Sequence, residues 1–150
     1  MPLDVTKAGS APVAAVAGER QTQTLRGLNI LCIDNEPKIL EGMRLLISGW
    51  GCEVQSLASL AEVADFHSAA PDLVIADYHL DDGTGIAAIL DLRQRFGAEL
   101  PALLLTADRT LEIRAEAERY GIAVQHKPVR PAALRAFITQ ISGQKRAAAE

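Results

Sequence analysis

The chain is poor in aromatic residues, which make up 4% of its 150 positions. Its core must therefore be built from Leu, Ile, Val and Ala. It has two cysteines, Cys32 and Cys52, each in or beside an apolar run. Their spacing matches no metal-binding motif. They read as buried, reduced thiols, which fits a cytoplasmic location. No apolar run approaches the ~20 residues that cross a bilayer. The segment Ala11-Pro-Val-Ala-Ala-Val-Ala17 has no Leu-rich centre and no basic start, so it does not read as an export signal. Basic residues are outnumbered, 15 Lys and Arg against 19 Asp and Glu, for a net charge of −4. That balance argues against a general affinity for nucleic acid or anionic membranes. There is no internal repeat. What these absences leave is one ordinary domain, long enough to bury roughly 70% of its unfolded surface.

The stretch that organises it is Asp72-Leu-Val-Ile-Ala-Asp77. A short apolar run of this kind predicts a strand buried on both faces, as in a parallel sheet covered by helices. Ligands bind just past the carboxyl ends of such strands, where Asp77 would stand. Other strands are predicted over 28–33, 52–57, 102–105 and 122–125. Helices are predicted over 37–50 and 59–68, then from Thr84, Thr110 and Pro131 onward. Pro37 suits a first helical turn. Ser59 with Glu62 forms a capping box. Gly49 and Gly51 flank the end of the first helix, and Gly121 ends the fourth. Ile86, Ile89, Leu90 and Phe96 are expected to face inward from the third helix, with Asp91, Arg93 and Arg95 outward. Ile113, Ala117 and Tyr120 are expected inward from the fourth, whereas Leu45 points away from the apolar face of the first. Residues 1–26 read as a flexible arm or linker, 27–143 as the domain and 144–150 as a polar tail. Strands alternating with helices predict a doubly wound, flavodoxin-like (βα)5 domain with a parallel sheet in the order 2-1-3-4-5.

In that order Asp34 and Asn35, Asp77, Thr106 and Lys127 all follow neighbouring strands. Each has an ordinary reading alone: an acid after a strand caps a helix, a Thr makes a turn, a Lys is solvated. Together they place acids, a hydroxyl and an ammonium at one sheet edge. Clustered acids need a counter-charge, and a hard divalent cation such as Mg²⁺ fits oxygen ligands. Aspartate is an accepted nucleophile towards phosphorus. The cation, the ammonium and the hydroxyl would then meet the three phosphoryl oxygens. A flavin or nucleotide binder of the same architecture would need a Gly- or Ser/Thr-rich loop after the first strand. Asp34-Asn-Glu-Pro37 is acidic and would repel a phosphate.

Ile33-Asp-Asn-Glu-Pro37, Asp72-Leu-Val-Ile-Ala-Asp77, Leu105-Thr-Ala107 and His126-Lys-Pro128 resemble the signature blocks of response-regulator receiver domains, over residues 25–141. The resemblance implies a phospho-accepting aspartate, Asp77, a switch hydroxyl, Thr106, and a lysine, Lys127, with a cis bond between Lys127 and Pro128. It implies Mg²⁺ held by Asp34, Asn35, Asp77 and the backbone carbonyl of His79. It implies as partners a sensor histidine kinase, a histidine phosphotransfer protein, or both, and helix four, strand five and helix five as the output face. Helix one, with Leu45, is a candidate for docking the phosphodonor. His79 and Asp108 flank the site in this family and are expected to tune hydrolysis. Four positions depart from the family pattern. Asn35 replaces the second acid of the usual pair, so Mg²⁺ should bind more weakly, with Glu36 the nearest compensating charge. Leu80-Asp81 replaces Met-Pro, and Val124 replaces the aromatic switch. The wording Cys32-Ile-Asp-Asn-Glu-Pro37, with Ala76-Asp-Tyr-His-Leu80, is most similar to the carboxyl-terminal receivers of hybrid histidine kinases. Asn35 and Val124 also admit an alternative, a receiver-like binding module that is not phosphorylated. No DNA-binding or kinase catalytic segment is read after the domain, so output is expected to pass to a partner or to another part of a longer protein.

Overall fold

The computed structural model describes residues 25–149, with side chains through residue 145. In chain order its elements are β1 (Asn29–Ile33), α1 (Pro37–Ser48), β2 (Glu53–Leu57), α2 (Leu60–Ala64), β3 (Leu73–Asp77), β4 (His79–Leu80), β5 (Gly83–Thr84), α3 (Gly85–Phe96), β6 (Ala102–Thr106), α4 (Leu111–Arg119), β7 (Ala123–His126) and α5 (Pro131–Ala149). Five strands pair in parallel in the order β2-β1-β3-β6-β7, a flavodoxin-like α/β sheet. The expected order 2-1-3-4-5 counted five strands and so matches only in part. β4 and β5 form a separate antiparallel ribbon in what reads from sequence as a loop. Two-residue strands are too short to leave a period-2 signal.

Alternation along each strand splits the core in two. Val74 and Ala76 face α2, α3 and α4, together with Leu31, Leu104, Ile86, Ile89 and Leu92. Leu73 and Ile75 face α1 and α5, together with Ile30, Leu103, Met43, Ile47, Leu134 and Ile138. Cys32 and Cys52 are free and buried in this second core. Burial, the largest cause, pushes their thiols up to about 12 and about 11, which keeps both in the unreactive form.

Several expectations shift. Of the arm expected over 1–26, residues 1–24 lie outside the described residues, but Leu25 is fully buried in the second core. Gly51, at φ +96°, supplies the left-handed turn after α1, whereas Gly49 is still right-handed. α2 stops at Ala64, short of residue 68, and Phe66 beyond its end packs inward. Thr110 opens α4 without a side-chain cap bond, and Tyr120 is exposed. The polar tail expected from Gln144 is instead taken into α5, which runs to Ala149. Alanine is the best helix former, and Lys145 adds an ion pair to Asp72. Among the described residues no helix is long and apolar enough to cross a membrane.

Arg93 and Arg95 do not simply face water. Arg93 donates to the carbonyls of Leu100, Tyr120 and Gly121. Arg95 donates to the carbonyls of Val63 and Phe66, closing the end of α2 against α3. Hydrogen bonds from a charged donor contribute more than neutral ones, so Arg95→Ala is expected to lower stability by about 2 kcal/mol. Urea unfolding checks this; an unchanged midpoint would mean water replaces both bonds without loss.

Candidate functional site

Register builds the site. β1 and β3 pair Ile33 with Ala76, so Asp34 and Asp77 leave the sheet side by side. β3 and β6 pair Asp77 with Leu105, which puts Thr106 one step beyond. β6 and β7 pair Thr106 with His126, which puts Lys127 next. The Lys127 N–H also donates to the Thr106 carbonyl at 2.9 Å. The Lys127–Pro128 bond is cis.

Three of the five convergent side chains touch. Lys127 Nζ lies 3.0 Å from Asp77 Oδ1 and 3.5 Å from Asp34 Oδ2. Asp34 is only 4% exposed, and its Oδ1 accepts from the Glu36 N–H at 2.9 Å. Two carboxylates thus share one ammonium, and the electrostatics follow. The Asp77 carboxyl is raised above the usual range, first by burial and further by Asp34, against the opposing pull of Lys127. Burial alone would lower Lys127, but Asp77 and Asp34 outweigh it and hold the ammonium above its ordinary value. The ammonium gains from both acids, whereas each acid has only half an ammonium.

Thr106 is buried, and its hydroxyl is held by the Asp108 N–H at 3.0 Å rather than by Asp77 or Lys127. Asp108 in turn accepts from the Thr110 N–H at 3.0 Å. Val124 packs against the first core. His79 is exposed on the ribbon, with its ring edge-on to Tyr78 at 4.8 Å. Tyr78 O accepts from Gly85 N at 2.8 Å. By the alternation of an antiparallel ladder, the His79–Thr84 pair then falls at a non-hydrogen-bonded position. The His79 carbonyl is therefore not used by the ribbon. Among the described residues no trio of His, Cys, Asp or Glu side chains gathers as a metal cluster. A cation here would rest on two carboxylates, an amide and a carbonyl. That set is all oxygen and carries excess negative charge, which fits Mg²⁺.

Sequence reasoning missed two acids. Asp81 accepts from Asn35 Nδ2 at 3.2 Å. Asp82 accepts from the Leu60 and Ala61 N–H groups at 2.9 and 3.1 Å, at the start of α2. Their signal was the pair of acids in the turn after Asp77, which reads as ordinary solvated loop. Glu36, the expected compensating charge, is exposed and meets the site only through its backbone N–H.

Similarity to known proteins agrees with this geometry. The KDP operon transcriptional regulatory protein KdpE of Escherichia coli K12 is 32% identical over 98 residues, covering 61% of this chain and 43% of that protein. The chain thus spans less than half of that relative. Many solved structures share the fold, three of them as follows. The chemotaxis protein CheY4 of Vibrio cholerae has a TM-score of 0.70 at 24% identity, over 77% of this chain and 98% of that one. A receiver domain protein of Clostridium thermocellum has 0.71 at 22%, over 80% and 98%. A CheY-like receiver domain protein of Methanospirillum hungatei JF-1 has 0.74 at 22%, over 81% and 98%. The family model for the response regulator receiver domain matches residues 30–139. That match runs from β1 into α5 and so takes in every strand end described above, which makes this chain a member of the response regulator receiver domain family.

Proposed function

We propose that Asp77 accepts a phosphoryl group from a kinase phosphohistidine. A carboxylate oxygen forms the bond to phosphorus, and the bond from phosphorus to the donor imidazole breaks. The observation that supports this most is the 3.0 Å contact of Lys127 with Asp77, made while Asp34 competes for the same ammonium. Lys127 is then placed to follow a phosphoryl oxygen as charge builds on it. Asp34, Asn35, Asp77 and the His79 carbonyl are the residues that would hold Mg²⁺, whose chemistry is to neutralise phosphoryl oxygen charge. Thr106 is one strand away, and its hydroxyl must leave Asp108 to reach the phosphoryl group. That exchange is the switch. With Val124 in place of an aromatic ring, the signal must pass through Thr106 and the β6–α4 loop. His79 and Asp108 shape access for water. Exchanging the two is expected to alter the phosphoryl lifetime, followed by loss of the adduct with time; an unchanged lifetime would remove them from this role.

The test is intact-mass analysis after treatment with Mg²⁺ and acetyl phosphate, with Asp77→Ala alongside. An adduct on the parent only is expected. Asn35 and Val124 favour a second reading, a protein-binding module that is not phosphorylated. Absence of both an adduct and beryllofluoride binding would select it. The motif wording favours a hybrid histidine kinase as the source. Phosphoryl exchange with a histidine phosphotransfer protein, faster than direct transfer from a sensor kinase, is the result that would support that origin.

A further inference from the structure

We propose that Asp81 is a positioning residue for the cation site, acting through Asn35. This rests on the reading of Asp34, Asn35, Asp77 and His79 as that site. Asn35 is the one uncharged side chain in the set. An amide has a donor end and an acceptor end. Here the donor end is committed, because Asn35 Nδ2 donates to Asp81 Oδ1 at 3.2 Å. The carbonyl oxygen is the end that remains for a cation. A carboxylate hydrogen-bonded behind a ligand fixes the ligand's orientation and increases its electron density, as carboxylates do behind metal-binding histidines.

Charge gives the same answer. Asp34 and Asp77 against Lys127 leave one net negative charge at the sheet edge. Asp81 brings this to two, which balances a divalent cation. The turn that carries Asp81 is also fixed. Asp81 and Asp82 join β4 to β5, and Asp82 is tied to the first turn of α2 by two backbone N–H groups. Those bonds hold the Asp82 carboxyl below its ordinary value, so it stays charged and bonded. At the ribbon base, Gly85 N donates to Tyr78 O. Asp81 is thus anchored on both sides while it reaches 46 residues back along the chain to the end of β1. The plain competing account is a surface tether that steadies the turn and leaves the cation untouched.

The experiment is calorimetric titration of Mg²⁺, at low and at high salt, into the parent and into Asp81→Ala, Asp34→Asn, Asn35→Asp and the double variant Asn35→Asp/Asp81→Ala. Thermal unfolding of each without Mg²⁺ checks the fold; Asp81 is exposed, so its loss leaves the core intact. Asp81→Ala is expected to weaken Mg²⁺ about tenfold, the low end for loss of a ligand's supporting carboxylate. A general charge effect of Asp81 would fade at about 1 M salt, where the screening length is about 3 Å, whereas the loss in Asp81→Ala is expected to persist there. Asn35→Asp in the Asp81→Ala background is expected to restore the parent affinity, because the ligand then carries its own charge. Parent-like affinity of Asp81→Ala, with binding lost in Asp34→Asn, would overturn the proposal and leave the cation site standing. Disappearance of the loss at that salt would also overturn it, since the effect would then be one of general charge. A parent that binds no Mg²⁺ would remove the site and the proposal together.

Discussion

Asp77→Asn is expected to lose the phosphoryl adduct completely and yet to unfold at a higher temperature than the parent at neutral pH. The loss follows from chemistry, since an amide oxygen is no nucleophile towards acetyl phosphate. The gain follows from the position of the carboxyl. Its folded value is raised, chiefly by burial. A raised acid holds its proton more tightly in the folded chain than in the unfolded one. The unfolded chain releases that proton first, so stability falls as pH climbs from the ordinary carboxyl range through the folded value. Once pH has passed the folded value the whole penalty is present, and Asn removes it. Lys127 keeps a partner in Asp34, so the substitution does not strand the ammonium. The expected gain is about 1 kcal/mol, typical when a strained functional group is relieved. Thermal unfolding from pH 4 to pH 8 should show the gain grow as pH climbs out of the ordinary carboxyl range. An adduct on the variant would move the nucleophile to another residue. A lower unfolding temperature at neutral pH would mean that the Lys127 pairing outweighs burial.

The residues that meet at the sheet edge were legible because each follows a strand, and the strands announce themselves as apolar runs. Order within the sheet then follows from the alternation of strands with helices, and register turns that order into the contacts of Asp34, Asp77 and Lys127. Where legibility fails, the physical cause is local. The ribbon of β4 and β5 is two residues per strand, below the length at which a period appears. Asp81 and Asp82 look like solvated acids because their partners, Asn35 and the start of α2, are distant in sequence. Arg93 and Arg95 were placed outward by helical periodicity, which assigns a side chain to a face but says nothing of its reach. Their long stems cross to the carbonyls at the ends of α4 and α2. Leu25 was set in an arm by the small polar residues before it, although its own side chain fills the core beside Cys52. Composition averages over a window, whereas burial is decided one residue at a time.

Gly85→Ala is expected to destabilise the domain by about 3 kcal/mol, the upper end for an inserted methyl in a packed site. A Cβ at position 85 would lie 2.3 Å from the Asp77 carbonyl oxygen and 3.0 Å from its carbon. Both are backbone atoms of β3, a central strand, and cannot swing aside. Relief requires α3 to back away from the sheet, yet α3 buries Ile86, Ala88, Ile89 and Leu92 against it. Gly42 is the contrast. It lies in α1, and a Cβ there meets nothing within 4 Å. Gly42→Ala is expected to stabilise by about 0.5–1 kcal/mol through helix propensity alone. The two substitutions are chemically identical, so opposite shifts in unfolding temperature would isolate space as the cause. The Gly85 variant carries a second consequence, because the residue it presses on is the proposed acceptor. Displacing the Asp77 backbone displaces its carboxylate from Lys127, so the rate of adduct formation with acetyl phosphate should fall in the fraction that remains folded. A variant that folds as well as the parent would show that α3 can slide at little cost. A folded variant that accepts phosphoryl at the parent rate would show that the carboxylate is positioned independently of its own backbone.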